Sequence, residues 1–389
     1  MIKKTYRLGD IIQLKSGGTP DKSNPDYWGG SIPWISAKSM YDDFISTSDL
    51  FITEKGLQAG SKIAKKGSIL LLTRGSGLFN RIPVCYVVSD VAYNQDVKNI
   101  VLKKEDVTSI KFLYYWLYGN KELLSSMLET TGIGAGKIDT KRFLNLSISL
   151  PSQKEQARYI HLMDLLFDKI ELNRRINANL EAQAQALFRS WFVDNDNQLG
   201  NYQTKSLTDI AQYLNGLAMQ KFPPESIQNS LPVLKIKELG QGLCDTSSDR
   251  CSTSIKPEYV INDGDVIFSW SGTLLVDVWC GGKCGLNQHL FKVTSDNYPK
   301  WFIFYWTKHH LDKFIRIAKD KAVTMGHIKR CDLESSEVKV PEKPILEYLD
   351  KIFTPLFDSI ITHRIENRKL SALRDTLLPK LMAGEIAIE

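Results

Sequence analysis

Cysteines and glycine-rich loops are the places where this 389-residue sequence could do chemistry. Four of its six cysteines fall in one stretch, at Cys244, Cys251, Cys280 and Cys284. The Cys280-Gly-Gly-Lys-Cys284 spacing could supply half of a zinc site, with His289 or the other pair completing it. C-x3-C joined to C-x6-C is not a standard ligand set, so reduced thiols in a small β domain are the preferred reading, with zinc left open. Gly132-Ile133-Gly134-Ala135-Gly136-Lys137-Ile138 suggests a phosphate loop. Such a loop needs a glycine where Thr131 stands and a hydroxyl residue where Ile138 stands. What remains is a glycine-rich loop entering a short helix, with Lys137 facing a phosphate or a base edge. Arg74 follows an apolar run and opens the loop Arg74-Gly75-Ser76-Gly77, where an arginine can fork to guanine O6 and N7 or clamp a phosphate. No Ser/His/Asp, Cys/His or paired-carboxylate set stands out. Six histidines leave little material for acid–base catalysis.

The elements that must position these groups are organised by an internal repeat. Residue n set over n+199 aligns Leu8, Asp10, Ile11, Gln13 and Gly17 with Leu207, Asp209, Ile210, Gln212 and Gly216. The same offset pairs Ser31, Pro33 and Lys38 with Ser230, Pro232 and Lys237. At 197, Gly67, Gly75 and Leu78 meet Gly264, Gly272 and Leu275; at 193, Asn94-Gln95 meets Asn287-Gln288. From Tyr115-Trp116 the offset settles at 190 and carries Gly136, Ile138, Phe167-Asp168, Asn177 and Leu187 onto their counterparts. The second copy is therefore shorter by nine residues, lost in loops. The chain is one unit written twice.

Each copy opens with turn-rich sequence and short β-prone runs: Ser68–Leu72, Val84–Val88 and Lys98–Leu102, then Asp265–Ser269 and Leu290–Thr294. Aromatic-rich segments follow, Phe112–Leu128 and Trp301–Ile317, each expected as a helix. After Pro151 and Pro341 come long runs, about Gln153–Phe192 and Lys343–Met382, with apolar residues at steps of three and four. The expected seam of the second is Leu349, Phe353, Leu356, Ile360, His363, Asn367, Leu370, Arg374, Leu377 and Leu381. In the first it is Ile160, Met163, Phe167, Ile170, Arg174, Asn177, Leu180, Ala184, Leu187 and Trp191. A helix of this length spans about 60 Å. Two such helices bury their seams best against one another, and polar residues at the seam's centre fix register at a cost in stability. The fold class expected is α+β: two duplicated β-rich domains joined by two long antiparallel coiled-coil helices. The expected boundaries are 1–151, 152–193, 202–341 and 342–384.

Composition excludes several classes. Hydrophobic residues at 43% and charged residues at 24% exclude a disordered or fibrous chain. The longest apolar run, Phe112–Tyr118, falls far short of the ~20 residues of a membrane span. The N-terminus leads straight into patterned sequence, so the expectation is a soluble cytoplasmic protein. Residues 1–151 carry 20 basic against 14 acidic side chains and residues 193–341 carry 17 of each, so the net +6 belongs to the first segment. That charge permits a polyanion partner without requiring one.

Two similar domains on two long helices bind two similar targets. If the target is DNA, it is a split site, two short half-sites around an unread gap. The copies agree at glycines, prolines and apolar anchors and differ at polar loop positions, where two different half-sites could be read. At this point the sequence resembles the DNA-specificity subunit of type I restriction-modification systems, end to end in both halves. The resemblance is carried by Gly17-Gly18-Thr19-Pro20, Tyr27-Trp28-Gly29-Gly30, Ile32-Pro33-Trp34-Ile35, Gly67–Gly75, Asn94-Gln95 and Leu377–Ile386. It implies two target-recognition domains, docking of two methyltransferase subunits and, in the full complex, restriction subunits. It implies no cofactor on this chain, with S-adenosylmethionine and Mg/ATP on the partners. The second copy departs at Leu217-Ala218-Met219, which replaces the Gly-Thr-Pro turn, and lacks a Tyr-Trp-Gly-Gly. Asn24-Pro25-Asp26-Tyr27 is similar to the tetrapeptide with which adenine methyltransferases hold a flipped base, but no strand–Gly-loop–helix for the methyl donor accompanies it. It is read as a turn.

The DNA-facing candidates are Thr19, Lys22, Lys38, Arg74, Ser76, Arg81, Gln95, Lys137, Lys141 and Arg142 in the first copy. In the second they are Lys235, Lys237, Ser271, Thr273, Gln288, His289, His327, Lys329 and Arg330. Lys38 and Lys237 share a position suited to a phosphate. Gln95 and Gln288-His289 could read adenine edges, while the Asn-Gln pair common to both copies could equally tie down a loop. No catalytic residue is assigned. The alternatives are the same subunit serving another phage-defence or orphan methylation system, a stand-alone DNA-modifying enzyme, and an interaction scaffold that ignores DNA.

Overall fold

Ile69–Leu72 is buried at all four positions, the pattern of a strand covered on both faces. In the computed structural model it pairs antiparallel with Val97–Leu102 and with Val84–Val87. Ile12–Ser16 and Phe44–Ile45 complete a five-stranded sheet. A second sheet runs Phe51–Ile52, Trp28–Ile35, Val91–Tyr93, Lys62–Ala64, parallel at its centre. The described residues are 4–130, 134–194, 199–320 and 326–386.

The second copy rebuilds both sheets. One runs Gln212–Asn215, Leu290–Thr294, Val266–Ser269, Leu275–Val278; the other runs Arg250–Ser252, Ser230–Leu234, Cys284–Leu286, Val260–Ile261, again parallel at its centre. The repeat is thus one of topology as well as sequence. Gly17 and Gly216 show why one shared glycine is needed. A Cβ there would lie 2.0 Å from the Tyr93 carbonyl oxygen in the first copy and 2.2 Å from that of Asn287 in the second. Backbone passes too close for any side chain.

The chain forms two compact units, Met1–Asp168 with Ala372–Glu389, and Lys169–Ser371. The central helix, Gln153–Phe192, and the C-terminal helix, Lys343–Ala383, therefore each contribute to both. They run antiparallel in each. In the first unit, Phe167 meets Arg374 (5.0 Å from guanidinium to ring) and Tyr159 donates to the Ile386 carbonyl at 3.4 Å. In the second, Asn173 donates to Glu366 at 2.6 Å and to Asn367 at 2.9 Å, and Asn177 joins His363 at 2.9 Å. These are the register-fixing polar contacts expected at the seam, with Asn173, fully buried, as the member the spacing missed.

The seam differs from expectation at several positions, both at its ends and nearer its centre. Phe188, Phe192, Phe357 and Leu378 are buried where Leu187, Trp191, Leu356 and Leu377 were expected, and the Arg174 side chain is 58% exposed on its own helix's Glu171. A 3.6-residue helix drifts against a strict 3.5-residue seam. The ends also turn their aromatic residues onto the β domains: Phe188 stacks on Tyr305 at 5.6 Å. The aromatic segments are also corrected, since each is two helices. Ile110–Gly119 and Lys121–Ser125 part at Asn120, whose amide donates back to the Trp116 carbonyl at 2.7 Å. Lys300–His309 and Leu311–Asp320 part at His310, whose ring bonds the Glu337 carbonyl at 2.8 Å. No described helix is long and apolar enough to cross a membrane.

Candidate nucleic-acid interface

Three separate segments of the first unit converge. The buried strand ends at Leu72, and Arg74–Gly75 leaves it to pair antiparallel with Gly136–Ile138. That register sets Arg74 directly opposite Lys137. Gly75 adopts φ +151°, open to glycine alone, and a side chain there would meet Ala37 at 3.8 Å. The turn Ala37–Ser39, with Lys38, therefore borders the same place. Lys38, Arg74, Ser76 and Lys137 are exposed, and neither Arg74 nor Lys137 has a side-chain bond or ion-pair partner among the described residues. Like charges directly opposed on a sheet destabilise it. An arrangement that keeps two cations facing each other over open solvent suits a bound anion.

The second unit repeats the geometry with other chemistry. Ser271 bridges His327, the counterparts of Arg74 and Lys137, and Gly272 bonds the Gly326 carbonyl at 3.2 Å. A side chain on Gly272 would meet Ile236 at 3.6 Å, next to Lys237. Ser271 is joined to His289 Nδ1 at 3.0 Å. Trp270 lies 6.0 Å from His289 and 6.3 Å from His327 between ring centroids, and its indole N–H donates to Asn215 at 2.9 Å. Trp270 is a residue the sequence reading passed over as loop flank. Its large ring beside two reading candidates was the available signal.

The remaining candidates are scattered around these bridges. Thr19 donates to Gln95 at 2.6 Å, and Asn94 accepts from the Asp96 and Val97 amides, both at 3.1 Å. Asn287 likewise accepts from His289 N–H at 3.3 Å, so the shared asparagine ties down the loop while Gln288 keeps a buried amide oxygen without a hydrogen bond. Lys22 and Thr273 are exposed. Arg81 is held by the Tyr41 carbonyl and by Asp43 at 3.4 Å, and Lys235 by Asp249. Lys237 donates to Ser247 at 2.9 Å. Lys137 sits on the strand Gly136–Ile138, paired on both sides, and the short helix that the glycine run enters is Thr140–Leu144. Part of that glycine run, Thr131–Ile133, and Met325 in the second copy lie outside the described residues.

The cysteines do not converge on one point. Cys244 packs against the core cluster that holds Cys284, Cys280 leans on the Val278 carbonyl at 3.8 Å, and no group of three metal-ligating side chains forms among the described residues. Burial pushes the Cys280 thiol up to about 11, while the interaction between Cys244 and Cys284 lowers the first thiol and raises the second. Asn24 accepts from the Asp26 amide and caps the short turn Pro25–Tyr27.

A family model described as the type I restriction modification DNA specificity domain matches residues 3–182 and 200–372. The chain belongs to this family. Among curated relatives of the specificity family, the MjaIX type I restriction enzyme specificity subunit of Methanocaldococcus jannaschii is 28% identical, covering 98% of this chain and 93% of its own. The HindI specificity subunit of Haemophilus influenzae is 22% identical over 98% of this chain and 99% of its own. The EcoR124I/EcoR124II specificity subunit of Escherichia coli is 31% identical over 40% of this chain and 39% of its own. A solved structure of the S subunit from M. genitalium shares the fold, with a TM-score of 0.57 at 15% identity over 98% of this chain and 96% of that one. The two matched segments each contain one of the two bridges described above.

Basic residues beyond the bridges sit on short, capped helices. Asp139 accepts from the Lys141 and Arg142 amides at 2.9 and 3.1 Å and starts Thr140–Leu144. Lys329 donates its amide to Asp332 at 2.7 Å and starts Arg330–Glu334, where Arg330 pairs with Glu334 at 3.4 Å. Asp139→Ala is expected to cost about 1 kcal/mol of stability, read by chemical denaturation. Because it frees Lys141 and Arg142 from a fixed pose, DNA affinity should fall slightly for every sequence alike.

Proposed function

We propose that this chain is the non-catalytic subunit through which a type I restriction-modification complex reads a bipartite DNA site with a fixed gap. Residues 1–151 and 202–341 would each read one half, with Arg74, Lys137 and Lys38 at one and Ser271, His327, His289 and Lys237 at the other. The observation that carries this is the repeated convergence of the same three segments in two units with different side chains at the matching positions. One scaffold with two chemistries is what reading two half-sites requires. Lys38, Lys137 and Lys237 would hold backbone phosphates at these places, with Lys141, Arg142, Lys329 and Arg330 adding further phosphate contacts. The helix pair would set the gap and dock two methyltransferase subunits, with restriction subunits joining the full complex in the cytoplasm. S-adenosylmethionine, Mg and ATP would act on those partners.

The test is co-expression with candidate methyltransferase subunits followed by mapping of methylated adenines. A single split motif of fixed gap supports the reading. If no methylation appears and the purified chain ignores DNA at low salt, the proposal fails. Deleting one heptad from each long helix is expected to change the gap and leave both half-site sequences intact. A changed half-site sequence would refute the helix pair as the spacer.

A further inference from the structure

The second unit carries a basic cleft that takes no part in its reading bridge. Its volume is about 420 Å3, and it lies where the end of the central helix meets Lys300–His309 and Leu311–Asp320. Arg189, Lys308, Lys313 and Arg316 bring positive charge to its wall, against the carboxylate of Asp312. The concentration is local, since residues 193–341 hold 17 basic and 17 acidic side chains.

Among the described residues, internal partners use only part of this charge. Lys313 donates to the Ser335 carbonyl at 3.1 Å and to Ser336 at 3.2 Å. Arg189 faces Asp194 at 3.5 Å with both side chains more than half exposed. Arg316 donates one guanidinium N–H to the Asp312 carbonyl at 3.3 Å, and Lys308 lies 5.3 Å over the Phe304 ring. His309 is held below the ordinary histidine range, first by burial and then by Arg189 and Lys339, as a positive field would do. Burial lowers His310 to about 4, so it is neutral near pH 7 and adds no charge.

The chain supplies its own comparison. At the 190-residue offset, Arg189, Lys308, Lys313 and Arg316 fall on Pro379, Tyr118, Leu123 and Ser126. The shared fold therefore does not need these cations, and one copy alone carries them. The helix Leu311–Asp320 also reaches the reading bridge, because a Cβ on Gly326 would meet the Ala318 carbonyl at 2.4 Å, one residue before His327.

We propose that the cleft formed by Arg189, Lys308, Lys313 and Arg316 binds phosphoryl groups, supplied by the DNA backbone beside the second half-site or by a free nucleotide. Arginine forks and lysine ammonium groups around a wet cleft match tetrahedral phosphate oxygens. The duplex source rests on the DNA reading proposed above; the nucleotide source does not.

The test uses the full chain, wild type and Lys308→Ala/Arg316→Ala, in two arms. For the duplex source, the salt dependence of affinity for DNA carrying the mapped site should lose about 0.9 in slope per phosphate contact removed. Two lost contacts would shrink the affinity drop between 50 and 200 mM salt about tenfold, with the methylated motif unchanged. For the nucleotide source, calorimetry with ATP should show binding by the wild type that the double variant loses. Lys308→Arg/Arg316→Lys should retain most of whichever signal appears, and equal melting temperatures establish that all variants fold. Wild-type chain that binds ATP but no duplex would sink the DNA reading and keep the cleft. Unchanged slope together with no ATP binding by the wild type overturns the cleft, as does a double variant whose only defect is failure to join the methyltransferase subunits.

Discussion

Arg74→Ala is expected to lose about 1–3 kcal/mol of DNA affinity and to relax one half of the recognised site while the other stays strict. The register behind this sets Arg74 opposite Lys137 on exposed strands, with neither cation neutralised among the described residues. Lys137→Ala should instead weaken binding to all sequences alike and lower the salt slope by about 1, the mark of a phosphate contact. Stability should move the other way. Removing either cation relieves a cross-strand repulsion, a gain of roughly 0.2–1 kcal/mol in the free protein. Higher melting temperature with lower affinity is the signature of a site kept for binding at the expense of the fold. In the second unit, Ser271→Ala removes the hydroxyl joined to His289, and its effect should fall on the other half-site. Methylation maps of each variant decide the matter. An Arg74→Ala chain with unchanged affinity and an unchanged motif would remove Arg74 from the interface.

Much of this architecture could be read from the chain because the repeat is itself a comparison. Offsets falling from 199 to 190 located the loops that differ, and four strands of each sheet recur in the second copy, where Phe44–Ile45 has no counterpart among the described strands. The long helices were legible from periodicity, but which residues their ends bury was not. Phe188 and Phe192 answer to the β domain as well as to the partner helix, and a heptad count sees only the helix. The candidates were legible one at a time. That Lys38, Arg74 and Lys137 share one place depends on a pairing between Arg74–Gly75 and Gly136–Ile138, too short to leave a pattern in the sequence. Arg81 and Lys235 read as free cations in the sequence, yet acids elsewhere in their own units hold them, Asp43 and Asp249. Nothing local announces such a partner. Arg364, which stands at offset 190 from Arg174, is a similar case: it bonds Asp277 and Glu181, each at 2.8 Å, and so ties the C-terminal helix to its β domain.

Phe188→Ala is expected to cost about 3–5 kcal/mol of stability in the second unit. Phe188 is 3% exposed, stacks on Phe192 at 5.0 Å and on Tyr305 at 5.6 Å, and meets Trp306 edge-on at 5.2 Å. Truncation would remove these contacts and a fourth, with the His309 ring at 6.1 Å, and leave a cavity that rigid neighbours cannot collapse around. For a unit of about 200 residues, this corresponds to a melting temperature lower by roughly 10 °C. The repeat supplies the control. At offset 190 the counterpart of Phe188 is Leu378 on the C-terminal helix, 1% exposed and set against Gly119 of the first unit. Leu378→Ala should cost about 2–5 kcal/mol there. Each β domain is thus closed by the last turns of one long helix, and the two variants should loosen different units. Hydrogen exchange tests this directly. Phe188→Ala should lower protection in Lys300–His309 and spare Ile110–Gly119, and Leu378→Ala should do the reverse. Equal loss in both helices from either variant would mean that the two units unfold as one.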